Sequence, residues 1–129
     1  MSLTVVPIYA ALTALLFLVL SFRVIFYRRA NRLSLGDEGD KNLLKRMRAQ
    51  ANCAEYAPLA LLLLAMVELT GAPALALHAL GIALVAGRMI HAYGFGSTPQ
   101  IMIFRQLGMV LTLTVILLCA LGLLGHALF

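Results

Sequence analysis

The feature that most constrains this chain is a long apolar stretch near its start. Between Leu3 and Tyr27 the only charged side chain is Arg23. A transmembrane helix needs about 20 predominantly apolar residues, because each residue advances it by about 1.5 Å across a hydrocarbon core of about 30 Å. No Lys or Arg precedes the stretch, and it is longer than the apolar core of a signal peptide. We therefore predict a retained first transmembrane helix.

Three more apolar segments follow, each separated from the last by a break in the pattern. The second carries its polar side chains mainly in its first three turns. Gly71 and Pro73 then mark a tight turn, since glycine suits the end of one helix and proline the start of the next. The segment 94–99, GFGSTP, interrupts the pattern again. The sequence predicts an all-α integral membrane four-helix bundle in a single domain, 1–129, with helices over about residues 3–27, 45–70, 73–93 and 100–126.

The composition agrees with lipid as the solvent of most side chains. Hydrophobic residues make up 63% of the chain and charged residues 12%, and the mean hydropathy is +0.99. The net charge of +5 does not indicate nucleic-acid binding, because the charges flank apolar spans. Cys53 and Cys119 fall at different depths on helices two and four, so we expect both to be buried and reduced.

The ten Lys and Arg residues are distributed very unevenly between the two ends of the predicted bundle. All lie in, or within about three turns of, the loops that join helices one to two and three to four. Because basic residues are retained on the cytoplasmic side, we predict cytoplasmic loops and both termini outside. We expect a bacterial inner-membrane protein in which most of the loop cations set the topology.

A polar constellation lies inside the second helix. Arg48, Asn52 and Glu55 are spaced i, i+4 and i+7 and therefore share one face, with Tyr56 at its edge. Such side chains are costly in lipid unless they face a protein interior or a wet cavity, which makes them a functional-site hypothesis. The alternative is structural: an ion pair and an amide that hold the bundle together.

The third and fourth helices bring further cations to the same depth. Arg88, His91 and Arg105 all lie within about 10 Å of the loop between these helices. A cluster of arginines repels itself unless an anion or the Glu55 carboxylate compensates it, so a negatively charged ligand is expected. The alternatives are interfacial anchoring for the two arginines and a structural hydrogen bond for His91.

The remaining titratable side chains indicate no second site. His78 and His126 lie toward the opposite end, without Cys, Asp or Glu at ligand spacing, so no metal site is expected. Glu68 lies at the same end without a basic partner, and we expect it to be interfacial.

The string at 48–59, RAQANCAEYAPL, resembles the helix-two signature of the MAPEG family, the membrane-associated proteins in eicosanoid and glutathione metabolism. The match is specific because polar identities recur where lipid would otherwise exclude them. RRANR at 28–32 is similar to the end of the family's first helix, and Arg88 with His91 to its third-helix motif. Arg105 falls where the fourth helix of the family carries its catalytic arginine.

The resemblance implies a homotrimer that binds glutathione at three subunit interfaces near the cytosolic side. Arg105 would be catalytic, because a fixed positive charge stabilises the thiolate that attacks. A lipophilic electrophile would arrive from the bilayer, through an apolar cleft between helices one and four of neighbouring subunits. By this resemblance, the glutathione-binding residues are Arg28, Arg48, Gln50, Asn52, Glu55, Tyr56, Arg88 and His91.

One position departs from the family pattern. Phe95 stands where related enzymes carry a tyrosine seven residues after the third-helix arginine, and Tyr93 is the nearest residue that could supply a hydroxyl. The implied function is a membrane glutathione transferase or peroxidase with a detoxification role. The alternatives are a non-catalytic lipid-binding member of the family and a four-span exporter. The exporter is disfavoured because Glu55, the mid-membrane acid, shares a helix face with Arg48.

Overall fold

The computed structural model of the chain describes residues 2–129 and contains four long helices that run up and down in sequence order. Each is long and apolar enough to cross a membrane. This confirms the predicted all-α fold with four membrane-spanning helices. The helices are α1 (Val6–Asn31), α2 (Lys41–Leu69), α3 (Ala74–Gly96) and α4 (Met102–Leu128).

The polar loop between α1 and α2 is shorter than predicted, because both helices continue into it. The predicted limits at residues 27 and 45 each lie four residues inside a helix. α1 ends at Asn31. The capping residue that follows, Arg32, has a left-handed backbone with φ of 55°, and its N–H donates a hydrogen bond to the Arg28 carbonyl oxygen. Charged side chains at the water-facing end of a membrane helix therefore did not mark its end.

The start of α2 is fixed by the side chain of Asp40. Its carboxylate accepts hydrogen bonds from the backbone N–H groups of Asn42, at 2.9 Å, and Leu43, at 3.0 Å. Such a cap satisfies donors that have no partner inside the helix. The Leu43 N–H and the Tyr27 hydroxyl hold the pKa of the Asp40 carboxyl below its usual range. This cap explains why α2 begins at Lys41 rather than near Lys45.

α3 and α4 approach each other so closely that glycine is required on both sides. A Cβ atom placed on Gly108 would lie 2.5 Å from the Gly87 carbonyl oxygen and 2.5 Å from the His91 Cβ. One turn nearer the basic end, a Cβ on Gly94 would lie 2.6 Å from the Phe104 Cβ. Small residues allow such backbone contact between membrane helices, where van der Waals packing drives association.

α1 and α4 lie on opposite sides of the bundle. α1 packs against α2 and α3, and α4 packs against α3 and α2, but α1 and α4 do not meet within residues 2–129. Their outer faces carry large exposed apolar side chains, such as Leu15 and Phe26 on α1 and Leu117 and Leu121 on α4. These faces are available to lipid or to other subunits.

Glu68 is buried rather than interfacial, which corrects the expectation from sequence. Its carboxylate accepts hydrogen bonds from the backbone N–H groups of Thr4, Val5 and Val6, at 2.6, 2.7 and 2.8 Å. A carboxylate at a helix N-terminus pairs with otherwise unpartnered donors and with the positive end of the helix dipole. The partner of Glu68 is thus the backbone at the start of α1 rather than a basic side chain.

We expect Glu68→Gln to destabilise the protein, because an amide group cannot accept as many hydrogen bonds as a carboxylate. Leaving a buried donor unpaired costs about 1–3 kcal/mol. Thermal unfolding of the detergent-solubilised protein should show a lower midpoint. Glu38→Gln removes the same charge at an exposed loop position and is the matched control. Equal midpoints for the two variants would contradict a capping role for Glu68.

Candidate functional site

A polar cavity of about 340 Å³ opens between α2, α3 and α4 at the end of the bundle that carries the basic residues. This volume lies at the lower end of the range for small-molecule sites, about 300–1,000 Å³. The close packing of α3 on α4 is what brings the side chains of these two helices together. The cavity is lined by Arg48, Asn52, His91, Phe95, Met102, Arg105, Gln106 and Met109.

The Arg105 guanidinium is held on two sides. Its central carbon lies 3.9 Å from the centroid of the Phe95 ring, which is a cation–π contact. Its Nη1 donates a hydrogen bond of 2.7 Å to the Gln100 Oε1 atom. No other side chain within residues 2–129 accepts a hydrogen bond from this guanidinium, so its remaining donors are available to a ligand.

Arg48 and Glu55 form an ion pair along one face of α2. The closest nitrogen–oxygen distance is 3.6 Å, and the side chains are 47% and 52% exposed. Exposed pairs of this kind contribute at most about 1 kcal/mol. Since the pair joins two residues of the same helix, it does not hold the bundle together. The structural alternative for these two residues is therefore disfavoured.

Arg88 is the most deeply buried cation, with 1% of its surface exposed. Its Nη2 donates a hydrogen bond of 2.5 Å to the Asn52 Oδ1 atom, whereas its Nε and Nη1 atoms have no partner within residues 2–129. Such burial excludes an interfacial anchoring role. Arg88 lies behind the cavity wall and holds Asn52, so the two residues act as a unit. A buried guanidinium without a carboxylate is costly, and an ionisable side chain in such surroundings beside a cavity is a functional-site candidate.

His91 occupies the seam between α3 and α4. It is 2% exposed, its Nδ1 atom has no partner within residues 2–129, and its ring lies 5.6 Å from that of Phe95. The structural hydrogen bond considered for this residue is therefore not formed at Nδ1. His91 lines the cavity between the two arginines of α2 and α4.

The remaining predicted residues do not line this cavity. Gln50 donates a hydrogen bond of 3.0 Å to the Ser21 hydroxyl, on the side of α2 that faces α1. Arg28 donates to the Gly36 carbonyl oxygen at 2.7 Å and contacts the Met47 sulfur. Tyr93 is 63% exposed and packs beside Phe104, so it does not bring a hydroxyl to the cavity.

Tyr56 and the two cysteines also lie outside the polar cavity. Tyr56 lies one turn beyond Asn52 and is half-buried, but it is not part of the cavity wall. Cys53 and Cys119 are both free and buried. Cys53 borders a separate, mostly apolar cavity of about 240 Å³ between α1 and α2, next to Pro58 and Phe17.

The sequence model of the MAPEG family matches residues 6–125. This chain belongs to the MAPEG family. The inner membrane protein YecN of Escherichia coli K12 is 38% identical over 115 residues, which cover 89% of this chain and 86% of YecN. The protein of the same name from Escherichia coli O6:H1 gives the same values. The four membrane-length helices and these relatives support an integral inner membrane protein.

Two residues of this MAPEG protein acquire a role that the sequence did not reveal. The sequence alone indicates no role for Gln100, and it distinguishes Phe95 only by the absence of a tyrosine hydroxyl at that position. Both contact Arg105 because α4 begins just beyond Gln100 and packs on the end of α3. A sequence signal for this contact is the polar side chain of Gln100, five residues before Arg105. It can be interpreted only when the path of the loop between α3 and α4 is known.

We expect Asn52→Ala to destabilise this MAPEG protein, because the buried Arg88 side chain then loses its hydrogen-bond acceptor. A hydrogen bond to a charged group contributes about 1.5–3 kcal/mol. The midpoint of thermal unfolding in detergent should fall, and Asn52→Asp should recover most of the loss because it supplies an acceptor. Gln106→Ala, an exposed position on the cavity rim, is the control. Equal midpoints for Asn52→Ala and Gln106→Ala would rule out the proposed pairing.

Proposed function

We propose that this protein is a membrane-bound glutathione transferase or peroxidase that acts on lipophilic electrophiles. The observation that carries the proposal is the charge of the cavity. Arg48 and Arg105 line it and Arg88 stands behind it, while Glu55 is the acidic partner among these helices. This excess of positive charge fits a ligand with more than one negative group.

Glutathione has the chemistry that this arrangement requires. Its two carboxylates match the paired donors of arginine, whose planar guanidinium binds carboxylates in a bidentate manner. Its ammonium group matches Glu55, which does not itself line the cavity but is exposed on the same face of α2 as Arg48 and pairs with it. Asn52, held by Arg88, offers an amide to the peptide backbone of the ligand. The tripeptide thus finds a complementary partner for each kind of polar group.

Arg105 would be the catalytic residue. A positive charge beside the sulfur lowers the pKa of a thiol and favours the thiolate, which is the nucleophile. The contacts with Phe95 and Gln100 orient this charge before the substrate binds, so little reorganisation is needed during reaction. The thiolate sulfur would then attack an electrophilic carbon, forming a C–S bond while the leaving group, such as a halide ion, departs with its bonding electrons. With a hydroperoxide it would attack the terminal oxygen, which breaks the O–O bond, releases the alcohol after protonation by water and leaves the sulfenic acid of glutathione; a second glutathione would reduce this to glutathione disulfide and water.

The distribution of the predicted residues supports a site shared between copies of the chain. Arg48 and Asn52 face α3 and α4, whereas Gln50 and Arg28 lie on the α1 side of α2. One chain therefore cannot direct all of them at one ligand. In a homotrimer, the α1 side of one subunit would face the cavity of the next, and the electrophile would enter between α1 and α4 of neighbouring subunits.

A non-catalytic lipid-binding role is the second candidate. A mostly apolar groove of about 470 Å³ runs between α2 and α4 at the opposite end, bordered by Leu63, Met66 and Leu123, with Thr70 and His126 also in its lining. It is suited to an acyl chain and lacks the arginines that line the polar cavity. If the protein only binds lipid, adding glutathione should produce no thiolate absorbance in the ultraviolet.

We expect Arg105→Ala to lower kcat/KM about 10²- to 10³-fold with glutathione and an aryl halide, because one preorganised charge is lost from the transition state. Purified protein in detergent is assayed spectrophotometrically. The control is Lys41→Ala, an exposed cation at the same end of the bundle but outside the cavity. Turnover that is absent in the wild type, or equal in both variants, would overturn the proposed enzyme function.

We expect Phe95→Leu to weaken thiolate stabilisation without abolishing glutathione binding. A cation–π contact contributes about 0.5–2 kcal/mol, so kcat should fall about 2- to 30-fold and its pH profile should move to higher pH. Phe95→Tyr keeps an aromatic ring beneath Arg105 and should retain the wild-type profile. Identical pH profiles for all three proteins would show that the ring does not position Arg105.

A further inference from the structure

The loop between α3 and α4, residues 97–101, is attached to the start of α2 by the side chain of Lys45. Its Nζ atom donates a hydrogen bond of 3.1 Å to the Ser97 carbonyl oxygen and one of 2.5 Å to the Thr98 hydroxyl. Within residues 2–129, no other hydrogen bond joins this loop to a helix outside the α3–α4 pair. Lys45 therefore connects segments that are 52 and 53 residues apart in the chain.

The Lys45 ammonium group is engaged by the loop rather than by an acidic side chain. Lys45 is half-buried, and it forms no ion pair within the described residues 2–129. Its acceptors lie at the C-terminal end of α3, where carbonyl oxygens without partners inside the helix carry partial negative charge. Lys41, one turn earlier on α2, carries the same charge but is exposed. The position of Lys45, and not its charge alone, thus distinguishes it from Lys41.

A short series of contacts leads from Lys45 to Arg105. In the loop that Lys45 holds, the Gln100 Oε1 atom accepts a hydrogen bond of 2.7 Å from the Arg105 Nη1 atom. The loop closes at Ile101, whose N–H donates to the Gly94 carbonyl oxygen at 2.9 Å. A displacement of the loop would therefore move the amide that orients the Arg105 guanidinium.

We propose that Lys45 is a positioning residue for Arg105 and acts on it through the α3–α4 loop. The inference rests on the proposed function, because it concerns the charge that would stabilise the glutathione thiolate. Lys45 does not line the polar cavity, and its ammonium group donates to loop oxygen atoms. With the loop attached to α2, Gln100 keeps the guanidinium in one orientation towards the cavity. Without Lys45, the loop is held by α3 and α4 alone and Arg105 is less well oriented.

A direct effect of the Lys45 charge is the competing explanation, and it predicts a different pattern. A positive charge lowers the pKa of a nearby thiol whatever the loop does. Thr98→Val removes an acceptor of Lys45 while leaving every charge in place. Lys45→Arg keeps the charge and can still donate to the Ser97 carbonyl oxygen. Substitutions on the two sides of the contact therefore separate attachment of the loop from charge.

The first measurement needs no glutathione. Hydrogen–deuterium exchange of the full-length protein in detergent, followed by mass spectrometry, reports on the backbone amides of the loop. The Ser97 and Ile101 amides, which both donate to α3 carbonyl oxygens, should exchange about tenfold faster in Lys45→Met than in the wild type, because local opening is easier. Lys41→Met should exchange at the wild-type rate. Equal loop exchange in the two lysine variants would overturn the proposal.

The second measurement is turnover of glutathione with an aryl halide as a function of pH. Lys45→Met should lower kcat about tenfold with little change in the KM for glutathione, because a misoriented Arg105 costs rate rather than binding. The pH profile of kcat should move to higher pH, since the thiolate is less stabilised. Thr98→Val should give a smaller change in the same direction and add little in the Lys45→Met background. Lys45→Arg should retain most of the turnover, and Lys41→Met should match the wild type.

Failure of this proposal can be told apart from failure of the proposed function. No turnover in the wild type would overturn the function and the positioning role together. Wild-type turnover with the same kcat and pH profile in Lys45→Met and Lys41→Met would overturn only the role of Lys45. A loss in Lys45→Met that Thr98→Val does not share would assign the effect to charge and would also overturn it. Thr98 is exposed, so Thr98→Val tests the attachment even if Lys45→Met does not fold.

Discussion

The backbone contact between α3 and α4 at Gly87 and Gly108 determines where polar side chains of this protein can meet. A side chain on either glycine would separate the two helices, because a Cβ on Gly108 would collide with the Gly87 carbonyl oxygen and with His91. Lipid supplies no hydrophobic force that pushes membrane helices together, so close packing must do so. The same seam aligns His91 and Phe95 of α3 with Arg105 of α4, and the cavity is a consequence of it.

The arginines in and behind the cavity are only partly neutralised by acidic side chains. Arg88 is buried with two unpartnered nitrogen atoms, and its hydrogen bond to Asn52 replaces only part of what water would supply. Arg105 is stabilised by an aromatic ring and a neutral amide rather than by a carboxylate. A carboxylate at these places would stabilise the free protein but would compete with an anionic ligand. The unpaired charge is thus the feature on which the proposed binding of an anionic ligand depends.

Much of the fold and part of the site could be predicted from sequence. The four helices were predictable because lipid requires about 20 consecutive apolar residues, a signal that does not depend on tertiary contacts. The α2 constellation was predictable because Arg48, Asn52 and Glu55 share a face by spacing alone. The end of α1 and the start of α2 could not be predicted from hydropathy. Asp40 caps the start of α2 through a local hydrogen bond that hydropathy does not reveal. The roles of Phe95 and Glu68 could not be predicted either. Glu68 binds the start of α1, which is distant in the chain, and the contact of Phe95 with Arg105 depends on the course of the loop between α3 and α4.

The bond between Glu68 and the start of α1 also bears on how the chain can assemble. The N–H groups of Thr4, Val5 and Val6 precede their acceptor by 62 to 64 residues in the chain, so they are synthesised well before it. Until α2 has crossed the bilayer, these donors must rely on water at the membrane surface. The hairpin of α1 and α2, rather than α1 alone, is therefore the smallest inserted unit whose leading turn has protein acceptors. Insertion of α2 therefore supplies the carboxylate that caps the first turn of α1.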